Sequence, residues 1–460
     1  MSRTPRSTLL IASGLASFCA TLAGCGTAVT TAGTSSSPLI PGAALHGKVY
    51  GGQQPLVGAS VYLYAAGNSG YGSAYTYTTG TSLLGTHTVT TDVSGSFNIT
   101  GDYTCPSSTT EIYIEAVGGT ADGVTGDANP NVIMLAALGP CGNLSSSSYI
   151  TMNELTTVAS VWALSPFMTG PANIGTSTTN SIGLTNAFNS VNTLVNIGYG
   201  QLNTTTLPAG ATIPTAELNT LGNILAACVN QAKGGVAGDN SSCGNLFYYA
   251  TPPNGTAPTN TLMAALDIAL NPGNNVANIF LIASKYAQFG PTTLSSHPTD
   301  WTVSIRYTGN AALTATTVPN GIAADQSGNI WVTNDAGSNL VKLSPTGTLL
   351  ASYTDEGYGP IAIDQLGNAW ASYTYLNKIT PTGTATTYSG GGLYDGGVDA
   401  IAVDGSENIW ASSVKYNARG TTITGSYLSE FTNSGTAITG TAGDTGGGLS
   451  GPSSIAITTH

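Results

Sequence analysis

The side chains able to do chemistry are few and widely spaced. Asp325, Asp364 and Asp404 recur 39 and then 40 residues apart, and Trp331, Trp370 and Trp410 hold an equivalent place in the three units. Carboxylates repeated in this way could line one end of a ring as ligand groups, and the indoles could stack on sugars. The commoner roles for such repeats are hairpin capping and packing between repeated sheets, and these are the roles expected here. The histidines after the N-terminal segment, His46, His87, His297 and His460, fall in four different segments, none beside a cysteine or a carboxylate pair. Asp127-Ala128-Asn129-Pro130-Asn131 begins like a calcium loop, but Val132 stands where glycine is needed and Leu138 where the bidentate glutamate belongs, so it reads as a turn. There is no Gly-x-Ser-x-Gly elbow, His-Glu-x-x-His pair or lysine-bearing phosphate loop. No catalytic residue, metal ligand or cofactor is therefore expected, and any ligand site is left unknown. Cys105, Cys141, Cys228 and Cys243 lack zinc-ligand spacing and read as disulfide partners. Three connectivities are open, and proximity favours Cys105 with Cys141 and Cys228 with Cys243.

The elements that would position the repeated residues are legible around them. Residues 321–325 form a short apolar run, 329–334 alternate in the manner of a strand, and runs at 339–343 and 348–353 complete four strands separated by Gly- and Pro-containing turns. A period near 40 built of four strands is the mark of a β-propeller blade. The sequence Gly-Ile-Ala-x-Asp, then Gly-Asn-Ile-Trp-Val, then Leu-Val-Lys-Leu-Ser-Pro-Thr-Gly resembles the NHL-type repeat, and more narrowly the streptogramin lyase-like propellers. In those lyases the resemblance implies a histidine base and a magnesium site held by acidic residues. Residues 311–459 contain no histidine, and their glutamates are only Glu356, Glu407 and Glu430, so lyase chemistry is carried over to no residue. Residues 451–457 match the start of a fourth unit, with Thr458 in the aspartate position. Three blades and a fragment would leave strand edges open, so the region at 300–460 is expected to be a partial, truncated propeller or one closed by another chain.

The N-terminus addresses the chain to a membrane surface. Arg3 and Arg6 precede an apolar stretch too short to span a bilayer, with the layout of a secretory signal over residues 1–24. It ends in Leu22-Ala23-Gly24-Cys25, which resembles the bacterial lipobox, and the resemblance implies that Cys25 is acylated and inserts in the lipid bilayer. Gly26 is not aspartate, which under the family rule implies sorting to the outer membrane or cell surface. Removing the signal leaves eight basic against twenty-two acidic residues, a net charge of −14. A surface of that sign repels phosphate backbones, so nucleic acid is excluded as a partner. Residues 25–42 are rich in Thr, Ser, Ala and Gly and read as a flexible tether.

Two further regions follow. Alternating strands with Gly and Pro turns over 43–145 argue for a small β-sandwich and resemble the carboxypeptidase regulatory-like, transthyretin-type domain, which implies a stalk or accessory module. Helical apolar spacing at Leu155–Trp162, Leu184–Val195, Leu218–Cys228, Leu262–Ala269 and Val276–Ala283 predicts a helical domain of four or five helices over 150–290, and residues 300–305 read as a strand leading into the propeller. The whole chain is thus read as a multidomain, lipid-anchored envelope protein. It would act as a non-catalytic binding or scaffold module that contacts a protein or glycan through its propeller. The competing expectation is a lyase-like or hydrolytic enzyme whose active residues lie in blades not in this chain.

Overall fold

The computed structural model describes residues 39–75, 82–121, 127–284, 287–307, 318–335, 339–372, 375–393, 398–445 and 448–457. The signal, the tether to residue 38, Cys25 and His460 lie outside the described residues.

The N-terminal half begins with two facing sheets. Leu45–Gly51 is central to the first, pairing with Ser96–Ile99 on one side and, in parallel, with Tyr149–Met152 on the other. Ser60–Ala65, Glu111–Val117 and Ile133–Pro140 form the body of the second. Period-two alternation drives the packing. Leu45, Val49, Leu63, Ile112, Ile114 and Met134 point between the sheets into a core without solvent access.

Six helices are present among the described residues: α1 Glu154–Leu164, α2 Ser181–Leu194, α3 Thr215–Val229, α4 Ser242–Ala250, α5 Thr261–Leu270 and α6 Val276–Ala283. They do not stand apart from the sandwich. Tyr64, Tyr113, Ile133, Leu135 and Ala137, on the outer face of the second sheet, share one core with Val158, Phe188, Leu221, Phe247 and Leu262 of the helices. The sheet edge explains the join. Ile133–Pro140 pairs on one side only, and the amides of Ile133, Leu135 and Ala137 on its free side donate to Thr261 Oγ1, Thr157 Oγ1 and Ser160 Oγ at 2.9, 3.0 and 3.2 Å. Hydroxyls of α5 and α1 thus seal an edge that would otherwise expose backbone donors. The division expected near residues 145–150 is bridged by this shared core and by the Tyr149–Met152 strand.

Two local expectations need correction. Residues 301–305 form no strand; Trp301 is fully buried in the helical core, its carbonyl accepts Trp162 Nε1 at 2.7 Å, and the strand is instead Arg306–Tyr307 paired with Ala211–Thr212. Burial of an indole outweighs the local β-preference. The helix α4 carries Gly, Asn and two Tyr and has little intrinsic propensity. It is held by Ser241, whose Oγ accepts Gly244 N at 2.8 Å, and by the Cys228–Cys243 disulfide to α3.

The second disulfide joins Cys105 to Cys141. Cys228 and Cys243 close a loop with a sequence separation of 15, which in the chain-entropy view stabilises by about 3 kcal/mol. Replacing both by alanine is therefore expected to lower the denaturant midpoint of the N-terminal body. An unchanged midpoint would show that the bond constrains nothing in the unfolded chain.

The C-terminal region contains successive antiparallel sheets. Blade 1 is Pro319–Ala324, Ile330–Asn334, Asn339–Leu343 and Leu349–Tyr353, and blade 2 is Ile361–Ile363, Ala369–Ser372, Leu376–Ile379 and Ala385–Tyr388, each in simple up-and-down order. Blade 3 has three strands, Ala400–Val403, Ile409–Tyr416 and Ile423–Phe431, with single bridges from Leu428 to Asp444 and from Phe431 to Ala437. The first strands of successive blades lie side by side, the propeller arrangement. Residues 451–457, expected to begin a fourth unit, carry no strand; Gly451 N donates to Ser426 Oγ at 3.0 Å and Ser412 Oγ to the Pro452 carbonyl at 3.2 Å. Among the described residues no strand joins blade 3 back to blade 1.

Candidate functional site

The three repeated aspartates each close the hairpin that follows them. Asp325 Oδ1 accepts the amides of Ser327 and Asn329, Asp364 Oδ1 those of Leu366 and Asn368, and Asp404 Oδ1 those of Ser406 and Asn408, all between 2.8 and 3.0 Å. The second oxygen takes the tryptophan six residues on: Trp331, Trp370 and Trp410 donate Nε1–H to Oδ2 of Asp325, Asp364 and Asp404 at 3.1, 3.0 and 3.0 Å. The constant spacing of indole donor and carboxylate acceptor was the available sequence signal for this bond. Trp331 is buried with Leu340, Ala369 and Ile379 between blades 1 and 2, and Trp370 with Leu376, Ile409 and Phe431 between blades 2 and 3.

A polar chain then links the blades at one end. Gln326 Nε2 donates to the Gln365 carbonyl, and Gln365 N donates to Glu407 Oε2. Asn433 Nδ2 reaches Asp364 Oδ2 at 2.8 Å, and Lys378 Nζ donates to the carbonyl and Oδ1 of Asn433 at 2.7 Å. Lys342 pairs with Asp325 at 3.2 Å and lies 4.6 Å from the Trp331 ring centroid; Lys378 lies 5.0 Å from that of Trp370. Burial raises the pKa of Asp325, Asp364 and Asp404, but the hydrogen bonds they accept outweigh it and hold all three below the usual carboxylate range. Such carboxylates stay ionised and are engaged by their own blades and, for Asp364, also by Asn433. They fasten the hairpins that follow them.

The other singled-out residues are not brought together. His46 stacks edge-on against Tyr149 at 5.5 Å, His87 borders a cleft of ≈ 460 Å³ beside Asp102 and Tyr103, and His297 Nδ1 lies 3.0 Å from the Pro298 carbonyl. Asn129 and Asn131 tie down the α3–α4 connection: Asn129 Nδ2 donates to the Cys228 carbonyl at 2.7 Å, and Asn131 Oδ1 accepts Gly235 N at 2.8 Å. Asp127 pairs with Lys233 at 3.8 Å.

Several buried carboxyl groups, Glu154 and Glu115 among them, carry no signal in the sequence. Glu154, in the first turn of α1, has no solvent access; its Oε1 accepts Gly52 N at 2.7 Å and its Oε2 has no partner. Desolvation pushes its pKa up to about 8, despite the helix N-terminus, which favours the anion. Desolvation likewise raises Glu115 to about 7 under the helices, where its Oε1 accepts Ala172 N at 2.9 Å.

A second surface of interest is the outer face of the first sheet. Lys48 and Tyr50 of the central strand and Tyr149 and Thr151 of its parallel neighbour floor a cleft of ≈ 440 Å³. Its wall is the hairpin formed by Val195–Asn196 and Gln201–Leu202, with Tyr199 at the tip.

No family model matches the sequence, and no curated protein is similar to it. Among solved structures, virginiamycin B lyase from Staphylococcus aureus, itself a propeller, is similar at 18% identity and a TM-score of 0.24 over 29% of this chain and 43% of the lyase. The extracellular domain of a hybrid two-component system from B. thetaiotaomicron is similar at 17% identity and a TM-score of 0.24, over 32% of this chain and 19% of that one. A protein of unknown function from Bacteroides caccae follows at 12% identity and a TM-score of 0.18, over 30% and 73%. This chain thus spans less than half the length of the lyase. The propeller-like character of residues 319–431 stands on their own strand order.

Proposed function

We propose that the chain is a non-catalytic binding or scaffold lipoprotein of the bacterial cell envelope. It is tethered through acylated Cys25 and contacts a protein or glycan through its propeller-like region. The observation that carries this reading is the saturation of Asp325, Asp364 and Asp404: each accepts backbone amides, an asparagine amide and an indole from its own blade. A general base needs a free lone pair aimed at substrate, and these carboxylates offer none. What remains is surface. The two-sheet sandwich fits the role of a stalk, in line with its likeness to carboxypeptidase regulatory-like domains, and the Thr/Ser/Gly-rich segment 25–42 would set its reach.

Expressing the full chain in a bacterial host fed radiolabelled palmitate tests the anchor. Label is expected on the native chain, with the protein in the membrane fraction, and none on Cys25→Ser. Equal labelling of the two would remove the anchor from the proposal. Metal-dependent turnover of a substrate by the purified protein would remove its non-catalytic character.

A further inference from the structure

We infer that the cleft on the outer face of the first sheet is a carbohydrate-binding site for a neutral glycan chain, with Tyr199 as its stacking platform. The site lies on the N-terminal body and does not depend on the propeller or on the anchor.

Tyr199 presents its ring to solvent at the tip of the hairpin. Tyr199 is 74% exposed, although a ring of that size would gain by burial. The backbone that carries it is pinned. Tyr199 N and Gly200 N both donate to the Asn196 carbonyl, at 3.2 and 2.8 Å, and Gly198 N to Asn196 Oδ1 at 3.0 Å. The hairpin is fastened from below: Thr151 Oγ1 donates to the Gly198 carbonyl at 3.0 Å, Thr151 N to that of Ile197 at 2.9 Å, and Asn153 Nδ2 to that of Gly200 at 2.7 Å. Gly200 has φ +62°, and a Cβ there would come within 2.5 Å of Thr151 Cγ2, so only glycine lets the hairpin sit this close. Six hydrogen bonds involving Asn196, Thr151 and Asn153 thus fix the hairpin that displays an exposed ring. Immobilising a loop before a ligand arrives removes an entropic cost of binding.

The rest of the cleft suits the same ligand. Tyr50 and the 41% exposed Tyr149 add rings to the floor; Gln201 and Gln53, both exposed, place amides at the rim, the Gln53 Nε2 also donating to the Gln288 carbonyl. Gln53 sits at φ +67°, a left-handed conformation unusual for a residue with a side chain, which fixes the turn at that rim. Apolar rings beside amides and hydroxyls match the alternating C–H faces and hydroxyl edges of a pyranose. The volume, ≈ 440 Å³, lies within the range of small-molecule sites. Among the described residues Lys48 is the one charged side chain in the lining, and none of them brings a carboxylate there. The lining therefore has no pair of acids for glycoside hydrolysis, and the proposed role is retention of the glycan.

The test uses the full-length protein and isothermal titration with cellohexaose, laminarihexaose, chitohexaose, xylohexaose and mannohexaose. At least one is expected to bind. Tyr199→Ala should weaken that binding by about tenfold, the loss of one stacked ring, while Tyr199→Phe should stay within about threefold because the ring rather than the hydroxyl makes the contact. Tyr199 is exposed, so both variants should melt with the native protein. Failure of all five sugars to bind overturns the inference, as does binding that Tyr199→Ala leaves unchanged. A glycan that binds through the propeller would be recognised by that second outcome.

Discussion

Asp364→Ala is expected to destabilise the propeller-like region by about 4 kcal/mol, the scale of removing one partner from a buried, hydrogen-bonded charge network. The carboxylate is 2% exposed and accepts from five donors: the amides of Leu366 and Asn368, Asn368 Nδ2, Trp370 Nε1 and Asn433 Nδ2. Alanine would leave those donors without an acceptor in a space that admits little water. It would also remove the negative charge nearest the Asn433 amide that Lys378 holds. Asp364→Asn should not rescue the loss, since its amide nitrogen would meet donors wherever it replaced Oδ2. Trp370→Phe, which removes a single donor and keeps the ring between blades, should cost less than half as much. Near-ultraviolet circular dichroism followed through urea unfolding reads the effect on the tryptophans. A loss below about 1 kcal/mol for the alanine variant would show that the hairpin needs no carboxylate. The same bonds set a pH dependence. Asp364 titrates below its unfolded value, so its contribution is present above about pH 4 and is lost as the pH falls through the folded pKa.

The N-terminal body should respond to pH in the opposite direction. Glu154, pushed up to about 8, keeps its proton in the folded protein through a range where the unfolded chain has already released it at about 4.3. Between those values the folded state binds more protons, so stability falls as the pH rises and levels off above pH 8. Glu115, raised to about 7, adds to the same slope over a narrower window. The full Glu154 contribution has an upper bound of about 5 kcal/mol. Glu154→Gln keeps an acceptor for Gly52 N and cannot ionise. It is therefore expected to melt close to the native protein at pH 5 and several degrees above it at pH 9. Calorimetry at the two pH values separates the cases, and native and variant curves that stay parallel would mean that Glu154 is ionised in the folded chain.

The blades were readable because their residues repeat. The strand expected at 339–343 is the observed Asn339–Leu343, and the turn chemistry of Ser344-Pro345-Thr346-Gly347 ends it where the sequence says it must. The Asp-to-Trp bond lay in the same repeat, since donor and acceptor types are invariant at a spacing of six, but propensity rules describe backbones and do not pair side chains. Trp301 and α4 escaped for a different reason. Their conformations are set by a core and a disulfide assembled from distant segments, against weak or contrary local preference. The cleft was least legible of all. Tyr50, Tyr149 and Tyr199 are far apart in the chain and line one cleft only because Tyr149–Met152 runs parallel to Leu45–Gly51 and the 195–202 hairpin lies over it, pairings that alternation in either strand alone does not announce.

The hydroxyls of Thr157, Ser160 and Thr261 bear on how this protein can be taken apart and recombined. A strand that depends on side chains from two later helices for its hydrogen bonds has no self-sufficient boundary. The sandwich is therefore not expected to be shuffled between proteins as a free bead. A recipient that inherits residues 43–145 without α1 and α5 also inherits an adhesive margin, so sandwich and helices are expected to travel through evolution as one inseparable cassette.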